Sequence, residues 1–188
     1  DSVVIFNAKK SIKKAECPYC DKGKEDMDNS ELTIVIPVYN EEESLKWFLP
    51  EVISFCKKNH FDLMTVDDAS TDASLSILQK ASEDWNGLTV LHHKVNRGYG
   101  GAVSSGLSAV QTEWAVTMDA DGQHRPADVL KLCACRDRTD ADLVIGSRKD
   151  AEKKNQATWR SLGKKIIRAI AGMLVDLHVT DLNTGMKL

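Results

Sequence analysis

A chain of 188 residues is long enough for one domain with a substantial core. Its 42% hydrophobic and 28% charged residues and formal net charge of -3 are those of an ordinary globular protein, and they exclude the basic stripe of a nucleic-acid binder. No apolar stretch reaches bilayer length and the N-terminus lacks an apolar h-region, so neither a membrane span nor a signal peptide is expected within it.

Residues 1–30 are mostly polar and read as an N-terminal extension, with a short apolar run at Val3-Val-Ile-Phe6. Within it Cys17-Pro-Tyr-Cys20 has zinc-knuckle or redox spacing. A closed zinc site needs about four ligands, and no second Cys-x-x-Cys exists. The charged segment Asp21–Ser30 follows where a redox motif would open a helix. An incidental pair is favoured over a zinc half-site. The 5 cysteines are odd in number and lie among apolar neighbours, which points to a reducing compartment.

From residue 31 onward the pattern alternates strand and helix. Leu32-Thr-Ile-Val-Ile36, closed by Pro37, predicts a buried strand. Leu45, Phe48, Leu49, Val52, Ile53 and Cys56 recur at helical spacing, with acidic Glu41-Glu-Glu43 at the helix N-terminus, where negative charge is favoured. Phe61–Val66 predicts a second strand ending in Asp67-Asp68, followed by a helix capped by Ser70 or Thr71 and carrying Leu75, Leu78 and Ala81. Leu88–Leu91 is a third strand. A glycine-rich turn then leads to a helix over roughly residues 101–111. Trp114–Met118 is a fourth strand, Pro126 and Ala127 open the next helix, and Leu143-Val-Ile145 is a fifth strand closed by Gly146-Ser-Arg148. Trp159, Leu162, Ile166, Ile167, Ile170, Met173, Leu174 and Leu177 form a broad stripe on a final helix, with Lys164, Lys165 and Arg168 near its start. Such alternation implies an α/β fold with a mostly parallel central sheet covered on both faces.

Ligands of such sheets sit at the carboxyl ends of the strands. The polar clusters fall there: Asp67-Asp68, Gly98-Tyr-Gly-Gly101, Asp119-Ala-Asp121 and Gly146-Ser-Arg148. Residues two apart on a strand point to one side, so Asp119 and Asp121 would converge as oxygen ligands for Mg2+ or Mn2+, completed by substrate phosphates. The plainer alternative is a solvated Asp-x-Asp-Gly turn. Gly98 and Gly100 also begin a G-x-G with acidic residues about twenty positions on, the spacing of a dinucleotide-binding oxidoreductase domain. Val103 occupies the third glycine position, however, so the turn reads better as a close backbone approach to a ligand, with Arg97 available for phosphate.

Ile36-Pro-Val-Tyr-Asn-Glu41, Val66-Asp-Asp-Ala-Ser-Thr-Asp72, Asn96-Arg-Gly-Tyr-Gly-Gly-Ala102, Met118-Asp-Ala-Asp-Gly-Gln-His124, Gly146-Ser-Arg148 and Asp181-Leu-Asn-Thr-Gly185 occur in that order. Together they resemble glycosyltransferase family 2 with the GT-A fold, a Rossmann-like α/β/α sandwich, and within it the dolichyl- or polyprenyl-phosphate sugar synthases. The resemblance runs from about Leu32 to the C-terminus and implies a transferase domain over residues 31–188, C-terminally incomplete. It implies that Pro37, Tyr39 and Glu41 border the nucleotide and that Asp67 or Asp68 bonds the base. Arg97 and Gly98 would approach the phosphates, and Asp119 and Asp121, beside Gln123, would hold the metal. Arg148 would reach the acceptor phosphate or donor diphosphate, and Asp181–Gly185 would line the sugar and acceptor side.

The implied reaction is inverting, metal-dependent transfer from a UDP- or GDP-sugar to a polyprenyl phosphate, without nucleic acid, at the cytoplasmic face of a membrane. Residues 159–177 would make peripheral membrane contact, and homo-oligomerisation is a further expectation. No Gln-x-x-Arg-Trp element of the processive synthases is present. A family member acting on a soluble or glycan acceptor is the alternative within the same class.

Overall fold

The computed structural model describes residues 2–7, 10–16, 32–122, 124–139 and 142–147. The elements in chain order are β1 (Ser2–Asn7), β2 (Lys10–Glu16), β3 (Leu32–Val38), α1 (Glu42–Asn59), β4 (Asp62–Asp67), α2 (Ser74–Asp84), β5 (Leu88–His92), α3 (Gly98–Ala109), β6 (Trp114–Thr117), α4 (Asp128–Thr139) and β7 (Leu143–Ser147). The chain forms two compact units, one of Gly23–Leu130 with Leu188, the other of Asp1–Lys22 with Lys131–Lys187.

The first unit is built on a 4-stranded sheet in the order β5-β4-β3-β6, parallel throughout. Leu32 to Ile36 are all buried in succession. Side chains alternate between faces along a strand, so a run buried at every position means that β3 is covered on both faces. α3 lies over β3 and β4, and α1 packs beside α2. The core gathers Ile34, Ile36, Phe61, Leu63 and Val66 from the strands with Leu45, Phe48, Val52 and Leu78 from the helices. Full burial of each such side chain contributes about 1.5–3 kcal/mol.

The second unit contains a 3-stranded sheet in the order β2-β1-β7. The run Leu143–Ile145, expected as a fifth strand, is one, but it pairs antiparallel with β1, Phe6 opposite Leu143 and Ser2 opposite Ser147. Val3-Val-Ile-Phe6, within the segment read as an extension, supplies that partner. An apolar β-branched run announces a strand without naming the neighbour it will pair with.

α1 contains all the residues read at helical spacing and carries Pro50 inside it. Two helix starts differ from the sequence expectation. α2 begins at Ser74 rather than after Ser70 or Thr71, because Asp72 Oδ1 accepts the Ser74 N–H. α3 begins at Gly98, three residues before the expected start, with φ +75° at that glycine. The glycine-rich turn is therefore the first turn of the helix.

Gly106 sets how closely α3 approaches the sheet: a Cβ there would lie 2.5 Å from Val35 Cγ1 and 3.0 Å from Val66 Cγ2. Overpacking of this kind costs about 1–3 kcal/mol. Gly106→Val should lose about 2 kcal/mol in urea unfolding, whereas Leu107→Ala, at an exposed neighbour, should stay within about 0.5 kcal/mol of wild type. Equal stabilities for the two variants would contradict the close approach of α3.

Candidate active site

In the sheet of the first unit, β4 and β5 lie on one side of β3 and β6 on the other. The chain therefore reverses its direction of winding at β3, and a crevice opens between the carboxyl ends of β3 and β6, the place where ligands bind in open parallel sheets. Pro37–Glu41 leave one side of that crevice and Met118–Asp121 the other, held in line by the bond from Met118 N–H to the Val35 carbonyl at 3.0 Å. Asp67-Asp68 and His92-His93 end the adjoining strands on the same edge.

The loops after β3 and β4 lock together. Val38 carbonyl accepts Asp68 N–H at 2.8 Å, Asn40 Oδ1 accepts Thr71 N–H at 2.8 Å, and Ser70 Oγ accepts Asn40 N–H at 3.0 Å. Glu41 N–H donates to Ser74 Oγ at 2.9 Å, and the Glu41 carboxylate accepts the Ser44 hydroxyl at 2.8 Å. Asn40 and Ala69 both adopt left-handed backbone, with φ of +54° and +61°, a cost that the surrounding bonds sustain. Pro37 is half-buried and Tyr39 is exposed beside it.

Asp67 and Asp68 are both buried. Asp67 Oδ2 accepts Ser70 N–H at 3.2 Å and lies 2.9 Å from His92 Nδ1, while its Oδ1 has no hydrogen-bond partner. Asp68 Oδ1 lies 2.7 Å from His93 Nδ1 and accepts the Arg97 N–H at 2.8 Å. Burial pushes the Asp68 carboxyl up, but its bonds with His93 and with the backbone N–H groups of Arg97 and Gly98 outweigh this and hold it below the usual carboxylate range. On its other side His93 Nε2 meets Ser105 Oγ on α3 at 2.9 Å. Asn96 completes the anchor, donating from Nδ2 to the Asp68 carbonyl and accepting the Gly98 N–H at Oδ1. Asp68 thus ties the end of β4 to the first turn of α3, and the Arg97 and Gly98 backbone sits where that tie places it.

β6 ends at Thr117, so Asp119 and Asp121 lie in the turn beyond it and their placement does not follow from strand pleating. The turn is set by Gly122, at φ +68°, against the Trp47 ring of α1. Asp119 Oδ1 accepts the Tyr99 hydroxyl at 2.9 Å and its Oδ2 lies 3.4 Å from His124 Nε2, while Ala120 is buried and Asp121 exposed. Burial, then the bond to Asp119 and the charges of Asp119 and Asp121, hold the Tyr99 phenol well above its ordinary range. Tyr99 thereby joins the first turn of α3 to the turn that carries Asp119.

Among the described residues no group of 3 or more His, Cys, Asp or Glu forms a complete metal cage. Two carboxylates at the crevice are still an adequate protein share for a hard cation that keeps waters and takes up substrate phosphates. Gln123, Arg148 and Asp181 lie outside the described residues, as do Cys17, Cys20, Asn183–Gly185 and the stripe at 159–177 with Lys164, Lys165 and Arg168. His92, His93, Asn96, Tyr99, His124 and Trp47 join the site although sequence reasoning gave them no role. Asn96, Tyr99 and His124 stood inside the quoted motifs, which was the available signal.

The family model for glycosyl transferase family 2 matches residues 33–187. An uncharacterized protein of Methanocaldococcus jannaschii is 30% identical over 86% of this chain and 65% of its own length. The undecaprenyl-phosphate 4-deoxy-4-formamido-L-arabinose transferase of Proteus mirabilis is 33% identical over 75% of this chain and 43% of its own. The UDP-N-acetylglucosamine--dolichyl-phosphate N-acetylglucosaminyltransferase of Methanococcus voltae is 29% identical over 82% and 67%. The chain thus spans between about two fifths and two thirds of the relatives it matches. Among solved structures, S. aureus TarS 1-349 in complex with UDP-GlcNAc superimposes with a TM-score of 0.51 at 25% identity, over 60% of this chain and 33% of that one. These findings replace the dinucleotide-domain alternative raised by Gly98 and Gly100. The α/β fold is of the GT-A type, and the chain belongs to glycosyl transferase family 2.

Proposed function

We propose that this domain transfers a sugar, with inversion, from a nucleoside diphosphate sugar to a polyprenyl phosphate, using Mg2+ or Mn2+. The observation that supports the reading is the pair Asp119 and Asp121 in the turn that follows β6, with Asp119 bonded to Tyr99 of α3. The printed names of the P. mirabilis and M. voltae relatives support a lipid-phosphate acceptor, and the UDP-GlcNAc complex of the S. aureus protein supports a nucleotide-sugar donor.

In this reading Pro37, Tyr39 and Glu41 border the nucleotide, and Asp67 and Asp68 form the wall against its base. The backbone of Arg97 and Gly98 approaches the phosphates. Asp119 and Asp121, with Gln123, hold the cation, which when bound neutralises charge on the departing diphosphate. The family resemblance assigns Arg148 to phosphate and Asp181 to the acceptor side. An acceptor phosphate oxygen attacks the anomeric carbon on the face opposite the diphosphate; that C–O bond forms as the bond to the diphosphate oxygen breaks. The nucleophile is already anionic, so positioning rather than a strong general base carries the step. Residues 159–177 are assigned to a membrane surface on the cytoplasmic side, which brings the lipid phosphate to the domain. Among the described residues no helix is long and apolar enough to cross a membrane.

Titration with UDP-glucose and GDP-mannose should give binding that depends on Mn2+ or Mg2+. Asp121→Asn should lower kcat/KM by about 100-fold or more, the scale of losing an electrostatic group aimed at developing charge; a variant as active as wild type would refute the assignment of Asp121.

Asp68 gives a second outcome. A carboxylate held below its unfolded value stabilises the fold fully above that value and loses the contribution as pH falls through its lower folded value. Stability of the wild type should therefore fall on acidification below about pH 4. Asp68→Asn should cost about 1.5–3 kcal/mol at pH 7, the worth of hydrogen bonds to a charged group, and should show a shallower acid limb. Denaturant melts at stepped pH measure both, and parallel curves for the two proteins would contradict the anchoring role.

A further inference from the structure

Tyr99 stands on the first turn of α3, and the position of that turn is fixed from behind. Arg97 N–H and Asn96 Nδ2 both bond to Asp68, at 2.8 and 3.1 Å, and Asn96 Oδ1 holds the Gly98 N–H at 2.9 Å. A Cβ on Gly101 would lie 2.6 Å from Arg97 Cβ, so the turn closes tightly on itself. From this base the Tyr99 side chain, 56% exposed, crosses to the turn after β6.

There it meets a carboxylate with little freedom left. Asp119 Oδ1 receives the phenol at 2.9 Å, His124 Nε2 lies 3.4 Å from Oδ2, and Gly122 rests on the Trp47 ring. We propose that Tyr99 is a positioning residue for the cation site, its hydroxyl fixing the Asp119 carboxylate in the orientation that receives a divalent metal. This rests on the reading of Asp119 and Asp121 as the cation's ligands.

The physical case is one of donor and acceptor capacity. An ionised carboxylate offers about four lone-pair positions, so accepting one hydroxyl is compatible with ligating a cation. An ordinary phenol is neutral at pH 7 and so carries the proton it donates to Asp119. Hydrogen bonds to ligating carboxylates fix their orientation, and their loss typically costs 10–100-fold in metal affinity. Tyr99 is more than half exposed, so about tenfold, the low end of that range, is the expected effect. The coupling also links two segments of the crevice: the α3 turn placed by Asp68, and the turn carrying the metal carboxylates.

The test titrates the full chain with Mn2+ alone, counting bound ion by loss of the free-ion electron paramagnetic resonance signal. Wild type, Tyr99→Phe and Asp121→Asn are compared, with circular dichroism and Tm recorded for each. Tyr99→Phe keeps the ring and removes only the hydroxyl. The expected result is a Kd for Mn2+ about tenfold weaker in Tyr99→Phe at unchanged Tm, with Asp121→Asn losing binding altogether. Wild-type affinity in Tyr99→Phe, while Asp121→Asn loses binding, would overturn the role of Tyr99 and leave the metal site standing. Mn2+ binding that is absent from wild type, or unaffected in Asp121→Asn, would overturn both readings together.

Discussion

Parallel pairing of β3 with β4 on one side and with β6 on the other is the constraint from which the rest of the site follows. A strand flanked in this way must send its two neighbours' connections apart, and the backbone leaves a crevice at its carboxyl end. Several polar residues then arrive at one edge by topology: Tyr39 and Glu41 after β3, Asp67 and Asp68 after β4, His93 after β5, and Asp119 after β6. The apolar half of the structure, from Ile34 and Val35 to Phe48 and Phe61, holds that edge in register.

An edge so rich in polar groups would be costly if they were left unsatisfied. The structure meets this with bonds both between loops and within them. Asn40 serves Thr71, Ser70 serves Asn40, and Asp72 serves both Glu42 and Ser74. Asp68 does the most, since one carboxylate oxygen joins His93 to Arg97 and its carbonyl receives Asn96. Asp67 is likewise committed to architecture through Ser70 and His92. The two carboxylates proposed to hold the cation differ in this respect: Asp121 is exposed, and Asp119 meets Tyr99 and His124.

Much of this was legible in the chain because it is local. Five successive apolar or β-branched residues at Leu32–Ile36 read as a strand buried on both faces, and the spacing from Leu45 to Cys56 read as the helix that follows. Acidic and glycine clusters after several strands, Asp67-Asp68 and Asp119-Ala-Asp121 among them, pointed to a ligand edge before any strand order was known. Contacts between distant residues were not legible. Nothing in the spacing of Tyr99 and Asp119 shows that they touch; that depends on α3 beginning at Gly98, which in turn depends on Asn96 and Asp68. The convergence of Asp119 and Asp121 was inferred from strand pleating, yet β6 stops at Thr117 and a glycine turn against Trp47 sets their positions. The strand at Leu143–Ser147 was legible, but not its pairing with Ser2–Asn7, because apolar runs encode strand formation more strongly than partner choice.

The central claim is that Asp119 and Asp121 hold a divalent cation at the crevice between β3 and β6, against the diphosphate of a bound nucleotide. Anomalous diffraction at the manganese edge, from crystals grown with Mn2+ and a nucleoside diphosphate, tests it most directly. The account predicts a single strong peak within about 2.5 Å of carboxylate oxygens from both residues and in contact with the diphosphate. A diphosphate bound in the crevice with no manganese peak at these carboxylates, or with its peak elsewhere, would contradict it.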